Sequence, residues 1–290
     1  MSWRTVVVSS SAKLDYQMGY LVVRNNETIK IHLSELSMLI VESTSVSLTA
    51  ALLSELCKKK IKVVFCDEKR NPSSELIPYY GAHDTSAKVR NQIAWNQDIK
   101  TAVWTEIVSE KIHKQAEHLE RWNRSGAEML HSYLKEIEFG DTTNREGHAA
   151  KVYFNALFGM DFTRTNENSI NAALNYGYSL ILSNFTREIV SNGYITQLGL
   201  FHDNMFNQFN LASDLMEPFR PMVDYIVRLN MPDKFEHEEK MEMLKLLEIE
   251  VRIAGRSELL GNAIKIYCKS IFDALNDNDV SLIKLYSYEF

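Results

Sequence analysis

The feature that most limits the fold of this chain is a change of hydrophobic period on either side of residues 71–85. Before that stretch, short β-branched runs recur: TVVV from Thr5, YLVVR from Tyr20, TIKIHL from Thr28, MLIVE from Met38 and KVVFC from Lys62. Their partial alternation is that of strands, and Asn25-Asn26 between two of them marks a tight turn. One helical stripe, Leu48, Leu52, Leu53 and Leu56, lies among them within Ser47–Lys59 and closes on lysines that complement the helix dipole. From Ser86 onward the apolar residues return every three to four positions. Trp104 to Trp122 forms one long amphipathic helix that includes Lys111, and Met129 to Ile137 continues the pattern. Further helices are predicted over 145–158, 168–192, 222–229, 236–253 and 257–274, with Gly159 and Gly193 just past two of the ends and Gly255 between the last two. The stretch 71–85 (NPSSELIPYYGAHDT) carries Pro72, Pro78 and Gly81 and reads as the domain boundary. The expected fold class is α+β: a small N-terminal β-rich domain over residues 1–80, then a larger all-α domain over 86–290.

Composition narrows the function classes. With 290 residues and 45% hydrophobic content the chain can bury a substantial core, and only 11 Gly and 5 Pro leave little room for disordered linkers. The three cysteines, Cys57, Cys66 and Cys268, are far apart with no CxxC, a pattern of reduced thiols rather than of disulfides or a zinc site. MSWRTVVVSS is too short an apolar run for a signal peptide, and no run has the length to cross a bilayer; a cytoplasmic protein is expected. The net charge of −6 alone speaks against nucleic-acid binding, yet basic residues concentrate at Lys58, Lys59, Lys60 and Lys62, and phosphate contact needs only a local basic face. A metal site would itself add carboxylates, so the charge balance decides nothing.

Three side chains stand out as candidate ligands of one divalent cation. Glu146 opens a helix, His202 follows an apolar run, and Glu217 lies three residues after Asp214 and so on the same helical face. On one straight helix His202 and Glu217 would be roughly 22 Å apart at ~1.5 Å per residue, so the chain must turn between them. The Asn, Asp and Ser residues of 203–213 favour such a turn. Asp214 near a helix start would cap it, with Glu217 in the first turn beside Pro218. Plainer readings exist for each residue. A histidine beside a phenylalanine is commonly a hydrogen-bonded core residue, an Asp-x-x-Glu pair a cap with a solvated carboxylate, and a first-turn glutamate a partner for the helix dipole.

Five motifs extend the reading: MSWRTVVVSS, KVVFCDEKRNPSSELIPYYGAHD, REGHAAKVYF around Glu146, LGLFHDN around His202 and DLMEPFRPMVD around Glu217. In these the sequence resembles, nearly end to end, the CRISPR adaptation integrases, the CRISPR-associated endonucleases that insert new spacers into the array, and their type II branch in particular. The resemblance implies an N-terminal β domain that dimerises and a helical catalytic domain. It also implies a Mg²⁺ or Mn²⁺ site held by Glu146, His202 and Glu217, with Asp214 as a further acidic group beside the ion. Many relatives have Asp where Glu217 stands. The implied reaction is attack of a DNA 3′-OH on a repeat phosphodiester. The implied partners are double-stranded DNA (fragment and repeat), a second copy of the chain, a small second adaptation protein completing a heterohexamer, the RNA-guided effector nuclease and a ring-forming DNA-end protein. Arg145, Lys151, Arg164 and Arg220 lie near the ligand motifs as candidate phosphate contacts. Two further readings share these residues: a DNA-binding scaffold without chemistry, and a repair nuclease for branched DNA.

Overall fold

The computed structural model describes residues 4–79 and 82–288. Met1–Trp3 of the first motif and Tyr80–Gly81 of the second fall outside them. The chain forms two compact units, one of residues 1–85 with 190–193 and one of 86–189 with 194–290.

Among the described residues the first unit holds eight strands and one helix: β1 (Arg4–Val8), β2 (Ala12–Gln17), β3 (Tyr20–Arg24), β4 (Thr28–His32), β5 (Leu36–Val41), β6 (Val46–Leu48), α1 (Ala50–Lys58), β7 (Lys62–Cys66) and β8 (Pro72–Leu76). They make two four-stranded sheets, ordered β1-β5-β7-β8 and β4-β3-β2-β6. β1, β5 and β7 run parallel, whereas β2, β3 and β4 form antiparallel hairpins. Parallel strands covered on both faces read as unbroken apolar runs, and β5 is the case in point, with five of its six residues buried. Leu14, Leu21 and Ile31 of one sheet meet Leu39 and Val63 of the other and Leu52 and Leu56 of α1 in one core. The stretch read as pure boundary contains β8, whose Pro72 sits at the first position of an edge strand, a place where its missing N–H costs nothing.

The second unit is mostly helical: α2 (Thr85–Ala94), α3 (Gln97–Arg121), α4 (Ala127–Glu136), α5 (Arg145–Phe158), α6 (Ser169–Ser191), α7 (Asn210–Leu215), α8 (Arg220–Asn230), α9 (His237–Leu244) and α10 (Leu260–Asp277). α3 is its axis, its apolar face buried from Ile99 to Leu119. The predicted helices over 236–253 and 257–274 need correction. α9 stops at Leu244, and a hairpin of β9 (Glu250–Ile253) and β10 (Arg256–Leu259) follows, with β11 (Tyr286–Ser287) on the other side of β9. Val251 and Ile253 alternate with exposed Glu250 and Arg252, which is strand period. Ala254 and Gly255, both at positive φ (51° and 77°), make the two-residue turn that hairpins prefer.

α6 and α8 approach closely at Gly177, where a Cβ would lie 2.4 Å from Val223 Cγ1. The contact buries Tyr178 against Asp224 of α8. Gly177→Ala therefore overpacks this crossing and is expected to cost about 1–3 kcal/mol. A urea denaturation curve should show a lower midpoint at an unchanged slope.

Candidate active site

Glu146 is placed by the start of α5. Buried Asp141 accepts from the amides of Arg145 (2.7 Å) and Glu146 (3.0 Å), and Asn144 at the N-cap accepts from Gly147 N. These bonds satisfy amides that a helix start leaves without partners. They also fix the first turn on which Glu146 stands.

Glu217 stands in a 3-10 turn, Glu217–Phe219, between α7 and α8, with Pro218 inside it. The sequence reading placed Asp214 at a helix start, but α7 begins four residues earlier, at Asn210. Asp214 thus lies near the end of α7, fully buried, and its carboxylate caps a loop instead. It accepts from Leu200 N (2.6 Å), Phe201 N (3.1 Å) and His202 N (3.1 Å), and from His202 Nδ1 at 2.5 Å. Gly199 is required here: a Cβ would meet His202 O at 2.3 Å and Asp214 Oδ2 at 2.7 Å. Asn210 Nδ2 donates to the carbonyls of Gln197 and Asn204, and Gln92 of α2 donates to those of Ile195 and Leu198. Trp104 of α3 is stacked flat on Phe201, 4.5 Å between ring centres, and meets the His202 ring edge-on. It is core, as its helical stripe suggests.

The two glutamates meet through a residue that the sequence reading left in the helical stripe. Lys111 Nζ of α3, nearly fully buried, donates to both Glu146 Oε1 and Glu217 Oε2. Arg220 Nε pairs with the other Glu217 oxygen at 2.8 Å. Burial opposes the Lys111 charge, but the carboxylates of Glu217 and Glu146 more than offset it and its pKa ends above the ordinary value. Burial likewise pushes Glu217 up, and Arg220 and Lys111 outweigh it, so this carboxyl stays ionised. A lysine at a core position of an amphipathic stripe was the available signal, because a buried ammonium requires carboxylate partners.

His202 is 41% exposed and turned toward Asp214 rather than toward a glutamate, though it feels the Glu217 charge. Its Nε2 makes no hydrogen bond among the described residues. The three predicted ligands are thus not closed into one group, for Lys111 stands between the two glutamates. Among the described residues no cluster of three or more His, Cys, Asp or Glu is arranged to hold a metal ion.

The candidate DNA contacts fall in two places, along α5 and over the Tyr178 ring. Arg145 pairs with Glu136 (2.9 Å) and lies over Tyr133, while Lys151 is exposed on α5. Arg164 is held by Asn171 and Asn175, and Arg164 and Arg220 both lie over the Tyr178 ring, at 5.3 and 4.8 Å. Burial pushes the Asp224 carboxyl beneath this pair up to about 7.

The hydrogen bond to Asp214 raises the His202 pKa above its usual 6.5, against a smaller opposing effect of burial. A group raised on folding contributes stability that is complete below pH ~6.5 and is lost as pH rises through the folded value. An NMR titration of the metal-free protein should place the His202 midpoint above 6.5, and Asp214→Asn should return it to 6.5 or lower. Lys111→Met leaves two carboxylates facing each other and should cost about 3–5 kcal/mol in thermal or urea unfolding of metal-free protein.

Comparison with known proteins gives these residues a context. A family profile described as "CRISPR associated protein Cas1" matches residues 5–244. A "CRISPR-associated endonuclease Cas1" of Neisseria meningitidis serogroup C is 32% identical over 98% of this chain and 96% of its own length. Among solved structures, a casposase bound to integration product superposes with a TM-score of 0.77 at 17% identity, over 97% of this chain and 92% of that one. A chain of a Cas6-RT-Cas1–Cas2 complex gives 0.73 at 18%, over 99% of this chain and 36% of that longer one. The profile and the Neisseria relative together show that the chain belongs to the Cas1 endonuclease and integrase family.

Proposed function

We propose that this chain is a divalent-metal-dependent DNA integrase that joins the 3′ ends of short DNA fragments to a CRISPR repeat, with Glu146, His202 and Glu217 as the metal ligands. The observation that carries the reading is the pair of carboxylates drawn together by one buried cation. The site already balances two negative charges with a positive one at that point. The orientation of His202 fits as well. Metal-binding imidazoles commonly give one ring N–H to a carboxylate and keep the other nitrogen for the ion, which is how Asp214 holds Nδ1. Two carboxylate oxygens and one imidazole nitrogen suit Mg²⁺ or Mn²⁺, with the nitrogen favouring Mn²⁺. Such an ion, when bound, polarises a phosphoryl group and stabilises charge on the attacking and leaving oxygens.

The chain's own residues supply the rest. Lys111 bridges the two glutamates where a metal would be held, and if a metal displaced it its ammonium would be available to phosphate oxygen. Arg220 and Arg164, both laid on Tyr178, extend that positive face, and Arg145 and Lys151 lie along α5. One P–O bond to the incoming 3′-oxygen forms as one P–O bond to the displaced oxygen breaks. The proton lost by the attacking hydroxyl is balanced by one gained on the leaving oxygen, so no side-chain nucleophile is needed.

The structural neighbours include a chain of a complex that contains Cas2 and a casposase bound to integration product. They support double-stranded DNA and a small second adaptation protein as partners here. Homodimerisation, participation of the type II effector nuclease and the ring-forming DNA-end protein, and a cytoplasmic location complete the proposal. Among the described residues no helix is long and apolar enough to cross a membrane.

Glu217→Ala should abolish Mn²⁺-dependent strand transfer into a repeat-containing duplex and leave DNA affinity within about threefold, since it removes a ligand of the ion and none of the cationic side chains that meet phosphate. Unchanged strand transfer by this variant would refute the reading. Equal activity on a generic branched duplex would favour the repair nuclease.

A further inference from the structure

The family profile ends at residue 244, so the last stretch of the described chain lies outside it. We infer that the C-terminal strand β11 with Tyr288 is a positioning element for this site, its Tyr286 hydroxyl holding the Glu217 turn where a metal can use it. The inference rests on Glu217 being a metal ligand.

A three-residue 3-10 turn has few hydrogen bonds of its own to hold it, so the position of Glu217 depends on what packs beside it. Tyr286, only 2% exposed, donates from its hydroxyl to the Pro218 carbonyl at 2.9 Å, one residue from Glu217. Its ring stacks on Phe219 with 4.4 Å between centres. The strand is itself anchored, because Tyr286 pairs with Ile253 and Ser287 with Arg252 of β9.

The same strand reaches the other two carriers of the site. Lys114, one turn beyond Lys111 on α3, lies 5.4 Å above the Tyr286 ring and 5.6 Å above that of Tyr288. The Tyr288 hydroxyl bonds His118 Nε2, also on α3. The opposite ring nitrogen, Nδ1, lies 2.8 Å from the hydroxyl of Tyr153, two turns along α5 from Glu146. His118 is completely buried, and that burial brings its pKa down to about 3, so a neutral ring joins the two phenols. One short strand therefore touches the helix of Lys111, the turn of Glu217 and, through His118, the helix of Glu146.

Tyr286→Phe tests this, because it deletes a single hydroxyl and keeps the stacked ring. Mn²⁺ binding is read from the free-ion electron paramagnetic resonance signal of the chain without DNA, beside Glu217→Gln and the parent. The expected result is about fivefold weaker Mn²⁺ binding, the equivalent of ~1 kcal/mol for one hydrogen bond. Strand transfer should then recover at saturating Mn²⁺. A merely structural role would lower the binding-competent fraction without moving the midpoint, and that outcome overturns the inference. Unchanged Mn²⁺ affinity in Tyr286→Phe with loss in Glu217→Gln refutes the positioning role alone. Retained affinity in Glu217→Gln refutes the metal assignment and this inference together. Should Tyr286→Phe fail to melt cooperatively, Tyr288→Phe, which breaks the strand's bond to His118 on the helix of Lys111, should also weaken Mn²⁺ binding, by a smaller factor, and unchanged affinity there refutes the strand's positioning role.

Discussion

The second unit is built around a positive charge that is almost wholly withdrawn from water. Burying an ammonium is costly unless anions meet it, and Lys111 is met by one carboxylate from the start of α5 and one from the turn before α8. Those carriers are 71 residues apart (217 − 146), so the ion pairs fix a long-range arrangement that local propensity cannot specify. Arg220 completes the balance by taking the second oxygen of Glu217. The arrangement is self-neutralising, and the folded chain needs no metal to hold its carboxylates together. Any metal that binds there has to compete with a residue of the protein.

Asp214 imposes the second constraint. Its carboxylate is fully buried and spent on three amides and an imidazole of one loop. Four hydrogen bonds to a single charged group are what make its burial tolerable. They also decide the orientation of the His202 ring. Asp214 consequently acts on the orientation of a neighbour, and its own oxygens are not free to serve elsewhere.

Much of the architecture was legible from period and punctuation. The bounds of α5 and the strands β3 and β7 lie where apolar spacing, Gly159 and the β-branched runs put them, and β5 starts two residues before its run and ends one short of it. What stayed hidden depended on contacts between distant segments. The hairpin after α9 has four-residue strands, too short for alternation to stand out, and Gly255 reads equally well as a helix break. The sequence signals no start for α7, because it has only six residues and no side-chain cap, so Asp214 reads as a first-turn residue when it lies near the helix end. Lys111 was visible but went unread, since a lysine on a helix is ordinarily solvated. Spacing alone does not choose between a metal ligand and a capping residue for Glu146 or Glu217; the ligand reading comes from the resemblance of the motifs around them.

The way the 194–209 loop is held has a consequence for what the chain can vary. Its backbone is laced by side chains from three places, Gln92, Asn210 and Asp214, each bonded to particular amides or carbonyls. A β-ladder can slip by two residues and still satisfy its groups, but lacing of this kind has no alternative register. One residue inserted or deleted between Ile195 and His202 would break the match between these backbone groups and the side chains that hold them. Because the stitches end on backbone groups, this segment should tolerate exchange of side chains, Gly199 apart, far better than a change of length.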